Sequence, residues 1–376
     1  MRTAPSSPSP SPSSSPVDAA RGRAPRAPEP GDRDARTVPV GLLLAGLAVT
    51  LLLALTAAVS WGSSGVPFTD VWSTVLHRLT GGRPRPGTQD LIVWQLRVPR
   101  ALLAAVVGAG LGVVGTAVQA LVRNPLADPY LLGISNGASL GAVAAIVLGA
   151  GTGGLLGLGV SGAAFLGALL SFALVWAVAR RGGAFSPLRL VLAGVAIGQF
   201  LSGFTSYLVL RVGDEQQTQG VLFWLLGSLG GAQWSTLALP AAAVLLGLLA
   251  LQARARALNA LLLGDETAAG LGVDVAALRR ELFVVTSVLT GVLVSVSGAV
   301  GFVGLMVPHL CRLVVGGDHR RLLPVSALTG AVLLVVVDIV CRTALPSTEL
   351  PVGVVTAFVG APMLLFLLDR RLERAR

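Results

Sequence analysis

Apolar runs of about twenty residues recur along most of the chain, cut by short polar breaks rich in Arg, Pro and Gly. At about 1.5 Å rise per residue such a run reaches about 30 Å, the thickness of a bilayer's hydrocarbon core. Ten runs are counted, over about 40–60, 98–121, 131–149, 158–179, 190–210, 235–252, 282–297, 299–315, 323–341 and 350–368. The pattern predicts an all-α polytopic membrane protein of about ten transmembrane helices. An even number of crossings returns both termini to one side. Gly298 and Gly301 interrupt the seventh and eighth runs, so a break is expected there.

Three polar stretches punctuate the spans. Residues 61–96 carry Asp70, His77 and three arginines, and Phe68–Trp72 reads as a helical turn capped by Thr69 or Asp70. The apolar part of 220–231 is too short to span, so a partial or interfacial helix is predicted there. Residues 253–281 have a helical period broken at Gly264 and at Gly270–Gly272, which predicts two short helices joined by a turn. Asp265 and Glu266 would open the second, where carboxylates suit the helix dipole.

The second run has its own character. It opens at Arg97-Val98-Pro99-Arg100, read as a basic turn, and continues from Ala101 to Val122 in small residues. Gly108 and Gly112, four apart, let another helix approach closely in lipid. Two prolines within Asn124–Pro129 cannot continue a helix, so that segment is a break at a membrane surface.

Composition places the chain outside the soluble class. It is 53% hydrophobic and 12% charged, with mean hydropathy +0.78; a soluble domain carries about 25% charged residues. All 28 basic residues are arginine. With the termini inside the cell, 21 of them fall inside and 7 outside, which obeys the positive-inside rule and predicts cytoplasmic termini. The charge of +10 is therefore topological, and aromatic content of 5% offers no platform for stacking nucleic-acid bases. Residues 1–38, rich in Pro, Ser and Arg, lack the apolar surface to fold and are expected to be a disordered cytoplasmic tail. No convincing cleavage site follows the first run, so it is expected to remain as a span. Residues 39–370 form the membrane domain, 253–281 its long inner loop, and 371–376 a cytoplasmic end.

Catalytic chemistry is not apparent. There is no P-loop, no H-E-x-x-H and no cysteine pair at zinc spacing. No metal site, catalytic residue or bound cofactor is expected. Cys311 and Cys341 fall at opposite ends of neighbouring spans and cannot be bridged. Ser135 sits in G-I-S-N-G, but a proline-broken loop precedes it where a nucleophile elbow needs a strand. Asp338 and Arg342 are four apart on one helix face and form an expected structural ion pair. Gln119 and Gln199 are expected to hydrogen-bond between helices, His77 to be a surface histidine and His309 a satisfied helix-end histidine rather than a metal ligand.

Several blocks carry a resemblance: R-x-P-R at Arg97–Arg100, N-P-L-A-x-P at Asn124–Pro129, L-L-G-I-S-x-G-A at Leu131–Ala138, G-A-V-G-F-V-G-L-M-V-P-H-L-C-R at Gly298–Arg312, D-H-R-x-L-L-P-x-S-A-L at Asp318–Leu328 and E-L-P-V-G-V-V-T-A at Glu349–Ala357. In order and spacing they resemble the FecCD-type permeases of ABC importers for iron–siderophore complexes, cobalamin or haem. The resemblance implies a multi-pass subunit of the cytoplasmic membrane, with ATP and Mg bound by a partner ATPase. It implies a second permease subunit, identical or paralogous, two ATP-binding subunits, an extracytoplasmic substrate-binding protein and surrounding membrane lipid. Arg97, Arg100 and Arg342 would meet acidic residues of the binding protein. Asn124 and Leu126, with Ser186 facing them, would form the cytoplasmic gate. Leu263, Gly264, Ala268, Gly270, Leu271 and Gly272 would belong to the element that couples to the ATPase. An iron(III)–siderophore is the expected cargo, with cobalamin or haem as alternatives; a secondary transporter driven by an ion gradient is the alternative of another class.

Overall fold

The computed structural model describes residues 39–375, apart from 63–64, 83–86, 150–158, 181–185, 213–214 and 346–347, and gives no side-chain detail beyond 366. The expected tail at 1–38 lies outside the described residues. Residues 38–376 form one unit, and the described part of it is helical.

The helices are α1 (Val40–Ser60), α2 (Phe68–Leu79), α3 (Thr88–Val122), α4 (Ile134–Gly149), α5 (Gly159–Ala179), α6 (Pro187–Val209) and α7 (Glu215–Leu226). They continue as α8 (Trp234–Ala253), α9 (Ala255–Leu262), α10 (Asp265–Gly270), α11 (Val275–Ser297), α12 (Val303–Val315), α13 (His319–Thr343) and α14 (Val352–Ala375). Seven are long and apolar enough to cross a membrane: α1, α3, α5, α6, α8, α11 and α13. The shorter apolar helices α4, α12 and the Val352–Phe366 part of α14 bring the count to the expected ten. Helix α14 runs on to Ala375.

Helix α3 is the axis of the bundle. Its apolar span is 78% buried, against 17% for α1, whose Leu42, Val49, Leu52 and Leu53 face outward. Small residues explain the difference. A Cβ on Gly108 would collide with the Gly330 carbonyl of α13, one on Gly112 with the Ser326 carbonyl, and one on Gly115 with the Gly304 carbonyl of α12. Backbones in direct contact replace side-chain layers, the close approach expected of glycine faces in lipid. A second pair, α4 and α5, packs the same way through Gly137, Gly167 and Gly141.

The start of α3 corrects one expectation. Arg97–Arg100 is not a turn: the helix runs through it, with a π-helical stretch at Leu91–Arg97. Val98 N–H reaches back to the Val93 carbonyl, so in this register the next donor would bond Trp94. That residue is Pro99, which has no N–H. The Trp94 carbonyl instead accepts from Trp234 Nε1 of α8 at 2.8 Å, with the two indoles 4.9 Å apart. The proline is thus tolerated because another helix supplies its missing bond. Helix α2 also differs in detail. Pro67 stands at its N-cap and neither Thr69 nor Asp70 caps it; Asp70 accepts from Gln89 instead.

The break between α11 and α12 falls at Gly298–Phe302, as the glycines predicted. Gly298 and Phe302 both have left-handed backbones, φ 64° and 67°. Peptide groups freed there need partners, because lipid offers none. Tyr130 Oη accepts from Val300 N–H at 2.7 Å, and Ser297 O accepts from Ser228 N–H at 2.9 Å.

Candidate functional site

Three groups of residues sit at or near the ends of the bundle. The first gathers Arg97 and Arg100, within the first turns of α3, and Arg342 at the end of α13. Arg100 Nε lies 2.9 Å from Asp338 Oδ1, and its NH1 lies 2.8 Å from Glu349. Arg342 Nε lies 3.0 Å from the other Asp338 oxygen, in ion-pair contact but off the hydrogen-bonding line. The expected Asp338–Arg342 pair is therefore present, enlarged by Arg100 from 238 residues away. Arg342 also donates to the carbonyls of Ala58 and Trp61, and Arg97 to those of Val59 and Ser60. The arginines thus close the C-terminal end of α1, whose last carbonyls lack helical partners. They line a cavity of about 370 Å³ with Gly62, Gly230 and Glu349. Glu349 is the exposed member, at 45% of its side chain.

The second group is the turn after α3. Arg123 ends the helix in a left-handed conformation, φ 55°. Asn124 Oδ1 then accepts from Leu126 N–H at 2.9 Å, an Asx turn that sets up Pro125. Asp128 accepts from Tyr130 N–H at 2.8 Å and starts a single 3₁₀ turn, Pro129–Leu132. Asn124 is exposed and Leu126 half-buried. Ser186 stands at the N-cap of α6; no hydrogen bond among the described residues joins it to this turn. Just above the turn, Gln119 donates to Leu305 O and accepts from Arg312, the expected interhelical role. Gln199 departs from that expectation, since it is exposed on α6 beside Phe200.

The third group is the paired helices α9 and α10, where two were expected. Gly264 and Gly272, φ 107° and 83°, make the turns that a side chain would strain. Ala268 is fully buried, whereas Leu262, Leu263 and Leu271 are exposed. These exposed leucines lie on a segment between membrane-length helices, at the end of α9 and just after α10. The pair is anchored at its base. Asp265 bonds Arg279 of α11 at 2.8 Å and Arg123 at 3.1 Å. Asn259 of α9 donates to Asp318 at 2.6 Å and accepts from His319 N–H at 2.9 Å. Burial pushes the Asp318 carboxyl up, but bonds from Asn259 and Arg320 N–H, with the charges of Arg320 and Arg321, hold it below the ordinary range. The second and third groups are therefore joined through one carboxylate, Asp265.

Sequence reasoning missed the Arg123–Asp265 contact and the Asn259 anchor. The one available signal was Asn259 itself, a polar residue in the otherwise apolar run Leu258–Leu263. Cys311 and Cys341 are free and buried, and no cluster of three metal-ligating side chains exists among the described residues.

Among the described residues, seven membrane-length helices, three shorter apolar ones and an anchored helix pair make the build of a polytopic membrane protein. The chain belongs to the FecCD transport family, whose match covers residues 39–370. It is similar to a cobalamin import system permease protein of Halobacterium salinarum, 45% identical over 320 residues, 85% of this chain and 84% of that one. It is 40% identical over 341 residues to a hemin transport system permease protein of Yersinia pestis, covering 89% of this chain and 97% of that one. Among solved structures, a transporter assigned to the metal-chelate type of ABC transporters, in an inward-facing conformation, superposes with TM-score 0.75 at 31% identity, over 88% of this chain and 99% of that one. The chain is thus an ABC importer permease and an integral, multi-pass membrane protein; the ion-gradient alternative falls with that assignment.

Proposed function

We propose that this chain forms one half of the transmembrane pathway of an ATP-driven importer for a large metal chelate, received from an extracytoplasmic binding protein and released into the cytoplasm. The observation that carries the reading is the junction at Asp265. A helix pair with exposed leucines at its tip is tied by one carboxylate to the residue that begins the Asn124–Leu126 turn. A partner ATPase that binds ATP and Mg and grips Leu263 and Leu271 would move α10, and Asp265 would pass that movement to the gate. Gly264, Gly270 and Gly272 shape the helix pair, Ala268 seats it, and Ser186 lines the gate from α6. The excess of arginine supports a cytoplasmic location for this end and for both termini.

At the opposite end, Arg97 and Arg342 are committed to backbone carbonyls of α1 and its C-cap, whereas Arg100, bonded to Asp338, also reaches an exposed side chain, which favours it as the docking cation. Its second partner, Glu349, is exposed and exchangeable. A carboxylate on the binding protein would take its place, and the arginine fork suits that exchange. The pathway is completed by a second permease subunit, and the assembly by two ATP-binding subunits.

The relatives reorder the candidate cargoes. Cobalamin stands first, supported by the 45% identical relative, then haem. The ferric siderophore expected from sequence shares the scaffold, but neither curated relative described above carries it in name. The test is uptake of labelled cobalamin, hemin and ferric siderophores in cells lacking the chain, with and without its restoration. Cobalamin uptake that returns with the chain and needs ATP supports the reading. Restored siderophore uptake alone moves the cargo and keeps the mechanism. Uptake that survives ATP depletion refutes the mechanism.

A further inference from the structure

A lateral groove runs between α8 and α11, away from the arginine cluster and the gate turn. Leu239, Ala242, Leu246 and Ala250 form one wall, Val284 and Val288 the other, and its volume is about 540 Å³. Every lining side chain is apolar. Phe165 of α5 packs on Gly291, at the end of the groove nearer Val292. From Leu239 to Ala250 the wall is about 16 Å long at about 1.5 Å per residue, close to half of a hydrocarbon core of about 30 Å. The groove therefore has the depth of one leaflet. An acyl chain of one leaflet, lying along the membrane normal, can follow the wall over that length.

The mouth is charged. Following the i, i+4 rows, Arg254 comes one turn after Ala250 and Arg280 one turn before Val284. The two helix ends are adjacent, because Arg254 Nε bonds Glu281 at 2.9 Å. Arg279 turns away, buried and paired with Asp265. Arg254, Arg280 and Glu281 leave the mouth with one net positive charge, and Arg280 is exposed. An arginine fork at headgroup depth binds a phosphate well and repels the ammonium of a zwitterionic lipid.

We propose that this groove holds one chain of an anionic phospholipid, with the phosphate against Arg280 and Arg254. The site lies outside the cargo path and does not depend on which chelate is carried.

The test uses the full-length chain, with any subunits that co-purify, reconstituted in nanodiscs of equal phosphatidylglycerol and phosphatidylcholine. After transfer to detergent, retained lipid is counted by native mass spectrometry. One arginine near the surface contributes about a five-fold preference for an anionic lipid. The wild-type chain is expected to retain phosphatidylglycerol by about that factor over phosphatidylcholine, and R280Q to lose the preference. R321Q removes an exposed arginine at the same end of the bundle, where Gln252 bonds Arg320 O, but outside the groove; it is expected to keep it. A242F, a change at an exposed wall position, fills the groove and should lower retention of both lipids. Equal retention of the two lipids by the wild type overturns the proposal, as does equal loss in R280Q and R321Q, or an A242F chain that still holds its lipid. Capture of a second polypeptide by a photoprobe at Leu246 would also overturn it.

Discussion

Asp338 is fully buried and faces two arginines whose side chains are 11% and 6% exposed. Replacing it with asparagine keeps its shape and removes its charge, leaving two guanidinium groups without a shared counter-ion. Breaking a buried pair from one side costs about 3–5 kcal/mol. Here the cost falls at the low end, because Arg342 keeps the Ala58 and Trp61 carbonyls and Arg100 keeps Glu349. About 3 kcal/mol is expected, on the order of a hundred-fold in the folded-to-unfolded ratio. Glu349→Gln removes an exposed partner of the same Arg100 and should cost under about 1 kcal/mol. Reversible unfolding in mixed micelles reads both. A third variant separates charge from packing: D338L combined with R100M and R342M removes all three buried charges and their desolvation, and should recover the D338N loss only in part, because R342M leaves the Ala58 and Trp61 carbonyls unbonded. A D338N chain within 1 kcal/mol of wild type, or one no worse than E349Q, would refute the view that this carboxylate holds this end of the bundle together.

Three further outcomes are expected. Gly115→Ala drives a methyl into the Gly304 carbonyl and should cost at least about 1–3 kcal/mol, whereas Gly203→Ala, with nothing within 4 Å, should be neutral or stabilise by up to about 1 kcal/mol; thermal unfolding in detergent measures both. Leu263→Asp with Leu271→Asp should abolish co-purification of the ATPase while leaving unfolding within about 0.5 kcal/mol of wild type, since both side chains are exposed. Tyr130→Phe leaves Val300 N–H without its acceptor at the α11–α12 break, and should cost about 1–3 kcal/mol and speed hydrogen exchange at Val300.

What the sequence disclosed follows the range of the forces involved. Spans, breaks and the helix pair are written in local hydropathy and in glycine and proline, and they were legible at 40–60, at Asn124–Pro129 and at Gly264. The Asp338–Arg342 pair was legible because four residues make one helical turn. Arg100 was not, because its approach to Asp338 depends on how α3 packs on α13. The π-helical register through Arg97 was hidden for a related reason: Pro99 reads as a helix breaker until Trp234, on another helix, supplies a donor. The same holds for Asp265, whose partner Arg123 is brought to it only by the folded bundle.

The glycine contacts of α3 bear on how such a subunit can move. Where carbonyls press against bare α-carbons at Gly108, Gly112 and Gly115, neither helix can slide along the other without driving a valine or alanine methyl into a backbone oxygen. The joint is keyed, like a shaft seated in a slotted collar. Helices α3, α12 and α13 must therefore swing as one solid piece, and any rearrangement that passes cargo has to bend the chain elsewhere.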